Sequence, residues 1–229
     1  MATKKWGETS NTGGGGSDIQ RLNVSELKAG GEVTIRLIGD VLPNYVHWVQ
    51  TTNGWRTRNA CNFDRNTESF DESVENPINK HIVPQFDRAA AQFAYVTNVI
   101  KRNPDGTNDG VFLMELKQSI YRQVVDYAKK TKEFGDPSDS ETGYDFTIQK
   151  VSTGPKKQNV KYQLFPSRTN TPLTDEEKAL PLFDLEKLHR QETPDEQLAW
   201  IRENTSFLAM DTGSDIPGDE TGDEDVPFG

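Results

Sequence analysis

A chain of 229 residues, 33% of them hydrophobic, with a mean hydropathy of -0.77, has room for one substantial domain but leaves a sizeable part outside any core. Its one cysteine, Cys61, excludes an internal disulfide and a multi-cysteine zinc site and suits a reducing compartment. No apolar run approaches a membrane span, and the opening residues through Lys4, Lys5 and Trp6 do not form a signal sequence. A cytosolic protein with no membrane partner is expected.

The formal net charge of -10 argues at first against a nucleic-acid partner, but it is unevenly placed. Residues 211–229 hold seven acids and no base, a net of -7, and residues 172–210 hold nine acids and four bases, a net of -5. Residues 1–171 have 22 bases and 20 acids, a net of +2. A weakly basic body with an acidic end is the asymmetry of many nucleic-acid binders that carry an interaction tail.

In chain order, residues 1–18 read as a flexible arm, with Lys4 and Lys5 ahead of a Gly/Ser linker. The body is expected over residues 19–171. In it, Val33, Ile35 and Leu37 alternate with Thr34 and Arg36, as in a strand with one buried and one polar face. Pro43 separates this strand from a second run, Tyr45–Thr51, which a Thr52-Asn53-Gly54 turn reverses into Trp55–Cys61. That hairpin brings Trp48, Trp55, Arg56 and Arg58 together, a combination that suits stacking on bases and holding phosphates. One of the two tryptophans is equally suited to the core. Residues 62–91 form a polar, irregular excursion of a length usually associated with function or mobility.

The stretch Gln92–Gln118 predicts a long β-hairpin around the Pro104, Gly106 and Gly110 turn region. Phe93, Tyr95, Thr97, Val99 and Lys101 share one face, and Arg102 falls on the other; taken alone, the hairpin favours Phe93, Tyr95 and Phe112 as filling of a β-core over a platform that stacks on bases. Ser119 is placed to cap a helix running to about Lys132, with Ile120, Val124 and Ala128 as its apolar stripe. A third hairpin, Tyr144–Ser152 with Val160–Pro166, carries Lys156 and Lys157 at its tip and Lys150, Lys161 and Tyr162 on its arms. Beyond Pro172 the pattern turns helical. Thr174 with Glu177, and Thr193 with Pro194 and Glu196, are capping boxes. Leu180, Leu182, Leu185, Leu188, Leu198, Ile201 and Leu208 are available to pack these helices on the sheet. Residues 172–210 are therefore expected as a helical extension on the body, and 211–229 as a disordered acidic tail.

Two stretches bear a family likeness. Asp223-Glu224-Asp225-Val226-Pro227-Phe228 resembles the acidic Pro-Phe ending of bacterial single-stranded DNA-binding proteins. Tyr95–Lys130 and Asp145–Gly154, with the following Lys161–Pro166, resemble the core of the helix-destabilising ssDNA-binding proteins of tailed phages. The resemblance implies an OB-fold core and cooperative self-association along ssDNA. It also implies a tail that recruits a replication or recombination protein such as a polymerase, helicase or recombinase, all in the cytoplasm of an infected bacterial host. It places an aromatic that meets DNA at Tyr95 and basic positions at Arg102 and Lys150. The family's basic patch before this strand is replaced here by Arg88-Ala89-Ala90-Ala91, and Lys4-Lys5 is a candidate substitute. The family's zinc site would survive only as His47 and Cys61; a closed site needs four ligands, and His81 is a poor substitute, so no metal or other cofactor is expected.

The fold class expected is mainly β with peripheral helices (α+β). The function expected is sequence-independent ssDNA binding in replication, recombination and repair, without catalysis. No Gly-rich phosphate loop, zinc-protease motif or nucleophile elbow occurs. The alternative is an acidic interaction or scaffold protein whose OB-like domain binds protein.

Overall fold

A computed structural model describes residues 19–85, 91–130, 134–154 and 159–205. The described chain is mainly β, with short peripheral helices. In order it forms β1 (Arg21–Leu22), β2 (Glu32–Thr51), β3 (Gly54–Asn59), β4 (Phe63–Asp64), β5 (Ser69–Phe70), β6 (Ala91–Arg102), β7 (Asn108–Lys117), α1 (Gln118–Ala128), β8 (Asp145–Ser152), β9 (Val160–Pro166), α2 (Asp175–Lys178), α3 (Leu185–Leu188) and α4 (Pro194–Asn204). The main sheet runs β1-β7-β6-β2-β8-β9, with β3 paired to the far end of β2.

Strand β2 is the spine. Its first residues pair with β8, its last with β3, and residues 34–47 pair with β6 on the other side. It is one strand rather than the two expected on either side of Pro43. The interruption is a bulge between Ile38 and Val41, where Gly39 takes the left-handed φ of +67°. Pro43 is tolerated because residues 37–45 have a strand neighbour on one side only.

The inner face of the sheet holds the main core. Val33, Ile35 and Leu37 of β2 meet Tyr95 and Val99 of β6, Phe112, Met114 and Leu116 of β7, and Phe146 and Ile148 of β8. Ile120 and Val124 of α1 complete it. Helix α1 starts one residue before Ser119: the extended Lys117 leads straight from β7 into the helix with no side-chain cap. It ends at Ala128, short of the expected Lys132. No described ladder joins β7 to β9. Instead the Gln123 amide of α1 donates to the Tyr162 carbonyl at 3.2 Å and accepts from the Leu164 amide at 3.1 Å, satisfying the edge of β9 as a strand would.

Strand β6 is buried on both faces. Its outer face, with Val96, Leu113 and Leu42, is covered by Leu185 and Phe183 from the C-terminal segment. The Asn98 side chain clamps the Phe183 backbone, donating to its carbonyl at 3.1 Å and accepting from its amide at 3.0 Å. Both expected capping boxes are present, at Thr174/Glu177 and Thr193/Glu196, with Pro194 in the first helical turn. Of the leucines expected to pack these helices, Leu185 is buried but Leu182 and Leu188 are exposed, and Leu208 lies outside the described residues.

Arg36 departs most from its expected place. Alternation puts it on a polar face, yet it is fully buried. Its guanidinium donates to the carbonyls of Pro137 and Asp139 and, at 3.4 Å, to that of Tyr144. The 134–145 loop therefore replaces water as the acceptor. Gly143 is required there, because a Cβ would collide with the Arg36 guanidinium and the Asp139 carbonyl.

Candidate nucleic-acid interface

The β2–β3 hairpin extends beyond the sheet, and its two faces differ. Register places Trp48 opposite Thr57 and Gln50 opposite Trp55, so the two tryptophans are diagonal neighbours on one face. Every residue of that set is exposed, Trp48 at 42% and Trp55 at 49%. Neither tryptophan is in the core. The opposite face carries Val49, which packs with Ile78, Ile82 and Ile201 of α4. The hairpin is thereby held from behind while its tryptophan face meets solvent.

Arg56 and Arg58 lie across from Val49 and His47, on the face away from the tryptophans. The hairpin brings the four residues together in sequence but divides them between its faces. Arg58 stacks over Trp200 at 4.0 Å and pairs with Glu192 at 3.2 Å. Burial lowers its pKa, and Glu192 partly restores it. Arg56 is exposed and donates to the Trp55 carbonyl at 3.0 Å.

Tyr95 lies in the core with 5% exposure. Its ring stacks on Tyr121 with centroids 3.5 Å apart, and its hydroxyl donates to Glu68 at 2.7 Å. Burial and that carboxylate push its pKa up; burial and Glu68 do the same to Tyr121. The stack continues through Phe93, Phe63 and Tyr45 to Phe70, each ring within 6 Å of the next. Sequence reasoning singled out Tyr95 but missed Tyr121 as its partner. The signal was available, since Tyr121 lies in the first turn of a helix that follows directly on the strand beside Tyr95.

The remaining basic positions divide. At the far end of β6, Lys101 pairs with Asp109 at 2.6 Å, while Arg102 bonds Glu177 and sits 3.5 Å from Asp145. Arg102 pairs with Thr34 whereas Ala91 pairs with His47, so roughly 35 Å of strand, at ~3.3 Å per residue, separates Arg102 from the tryptophan hairpin. Lys150 donates to the carbonyls of Ser25 and Leu27 at 2.6 Å each, pinning the segment before β2. Lys161 is exposed on β9, and the half-buried Tyr162 lies beneath the Lys117 ammonium at 4.7 Å. Lys117 and Arg122, both exposed near the start of α1, are cations that sequence reasoning did not select. Lys156, Lys157 and the tail residues Asp223, Glu224, Asp225, Val226, Pro227 and Phe228 lie outside the described residues.

His47 and Cys61 serve local packing. The His47 Nε2 lies 3.4 Å from the Asn76 amide nitrogen, and the Cys61 thiol donates to the Glu75 carbonyl at 3.4 Å. Among the described residues no three His, Cys, Asp or Glu side chains are grouped to hold a metal ion. No described helix is long and apolar enough to cross a membrane.

An exposed aromatic pair on a β-hairpin braced from behind, in a sheet that also carries exposed lysines, has the features of a nucleic-acid-binding β protein. Residues 43–199 match the model of the family described as gp32 DNA binding protein like, and the chain belongs to that family. It is also 26% identical over 136 residues to the probable ssDNA-binding protein of Escherichia phage T5, a match covering 56% of this chain and 49% of that protein. The chain spans about half the length of this curated relative.

Proposed function

We propose that the chain is a phage protein that binds single-stranded DNA without sequence preference and without catalysing a reaction. The observation that carries this reading is the exposed Trp48–Trp55 face, within the residues matched by the family. Rings stack on any base, and nearby cations add the salt-dependent part.

The strand order β7-β6-β2-β8-β9, with α1 between β7 and β8, supports an OB-type barrel opened between β7 and β9. In such a barrel DNA crosses between the loop joining the first two strands and the loop joining the last two. Here those are the β2–β3 hairpin and the residues that follow it up to β6, with Trp48, Trp55 and Arg56 on the hairpin, and the residues between β8 and β9, which include Lys156 and Lys157. Lys117, Arg122, Lys161 and Tyr162 line the path between them. Arg58, Lys101, Arg102 and Lys150, tied into contacts within the protein, brace the framework instead.

The proposed organisation is an arm (1–18), an ssDNA-binding core (19–171), a helical extension (172–210) and an acidic tail (211–229). The tail recruits replication, recombination or repair proteins in the cytoplasm of the infected cell, with Phe228 as its anchor. Titrating tryptophan fluorescence with oligo-dT tests the binding reading. Saturable quenching supports it, and no change in fluorescence or mobility leaves the acidic scaffold alternative.

A further inference from the structure

The C-terminal segment leaves an apolar groove open beside β1. Leu180, Pro181, Leu182 and Phe183 line it together with Val111 of β7 and Gln20, around a space of about 280 Å³. Leu182 reaches the bulge of β2, where a Cβ added at Gly39 would lie 3.2 Å from it, yet it remains 49% exposed. Among the described residues the lining includes Asp109 and no base, and the neighbouring Lys101 is tied to Asp109 at 2.6 Å. Asp40 and Asp184, next in the chain to Gly39 and Phe183, are exposed. An apolar slot with an acidic rim suits an aromatic anchor flanked by cations.

The way the chain enters the fold indicates the occupant. Strand β1 runs parallel to β7 with Arg21 opposite Leu113, and the Gln20 carbonyl accepts from the Leu113 amide at 2.8 Å. Followed towards the N-terminus, that register carries the chain past Val111 to Asp109, along the groove. Residues 1–18, outside the described residues, contain one aromatic, Trp6, directly after Lys4 and Lys5. The linker from Trp6 to Gln20, with Gly13–Gly16 in it, has a root-mean-square span of about 20 Å. It holds the indole near the groove at an effective concentration on the order of millimolar. The other aromatic terminus fits worse, because Phe228 follows Asp223, Glu224 and Asp225, which an acidic rim repels. We propose that Trp6 docks in this groove of its own chain, with Lys4 and Lys5 facing the carboxylates of Asp40, Asp109 and Asp184. Val111 pairs with Ile100, so the groove lies towards the Arg102 end of β6 and the docked arm leaves the tryptophan hairpin open.

The test is fluorine NMR of the full chain labelled with fluorotryptophan, in the absence of DNA. The Trp6 resonance is assigned by its loss in Trp6→Phe. In the wild type it should be shifted from its position in the urea-unfolded chain. Leu182→Asp, at an exposed site, should return it to that position, and deletion of 211–229 should leave it shifted. A wild-type resonance at the unfolded position, or a shift that Leu182→Asp does not remove, overturns the docking. A shift that appears only as protein concentration rises assigns the groove to the arm of a second copy and overturns docking within the chain. The resonance is read without DNA, so its failure leaves the ssDNA reading intact, and a chain that binds no oligo-dT leaves the docking result standing.

Discussion

Arg102, near the end of β6, hydrogen-bonds Glu177 of α2 across 75 residues of chain, and Glu177 is itself almost fully buried. Asp145 sits between Arg102 and the buried Arg36, so two arginines and two carboxylates form one network joining the sheet to the C-terminal segment. Glu177 also accepts from Asn108 at 3.0 Å and closes the capping box of α2. Such a network is sensitive to losing one member, because the remaining charge is left buried without its partner.

Arg102→Ala should therefore destabilise the protein by about 3 kcal/mol while leaving the oligo-dT affinity of the folded protein within about twofold. Urea unfolding and a fluorescence titration of the same variant separate the two effects. A variant of normal stability but much weaker binding would return Arg102 to the interface.

Trp48→Ala and Trp55→Ala should each weaken oligo-dT binding by about 1–3 kcal/mol, the range for a ring stacked on a base. Both rings are exposed, so the melting temperature should move by no more than about 2 °C. A large fall in melting temperature with unchanged binding would make the pair structural.

Acid should destabilise the fold through two histidines. Burial pulls the pKa of His47 down to about 4, and burial with the nearby charges of Arg21 and Arg65 does the same for His189. Each remains neutral in the folded protein while the unfolded chain takes up a proton near pH 6.5. Their stabilisation is thus full above pH 6.5 and is lost as pH falls towards 4, by up to about 3 kcal/mol each. Urea midpoints measured between pH 7 and 4 should fall through this window. Midpoints that stay level down to pH 4 would contradict the buried neutral state.

The acidic end should act as a tethered competitor. Residues 211–229 carry seven carboxylates and no base, attached to a weakly basic body. Deleting them should tighten ssDNA binding, chiefly at low salt where screening is least. Phe228→Ala removes no charge; it should leave DNA affinity almost unchanged and abolish capture of replication or recombination partners. A truncated chain that binds DNA no better at low salt would rule out competition.

Local chemistry was legible in the sequence. Asn53-Gly54 makes the first hairpin, the 103–107 turn makes the central one, and both capping boxes form where their residues place them. Side-chain fates set by distant chain were not legible. Alternation assigns Arg36 to solvent, but its acceptors arrive from residues about a hundred positions later. Arg102 and Lys150 have the composition of a DNA contact and the partners of a structural brace. The tryptophans were ambiguous for the same reason, because α4 and the Ile78–Ile82 turn decide which hairpin face is covered. Tyr95 was identified as important, but the acid above it comes from an excursion with no pattern of its own.

Paired titration of the full chain with oligo-dT and with a duplex of equal length, across a range of salt, tests single-strand binding most directly. The single strand should bind much more tightly than the duplex, with little dependence on base sequence and a log–log salt slope of about -0.7 for each phosphate contacted. Equal affinity for duplex and single strand at moderate salt would contradict single-strand binding as the function.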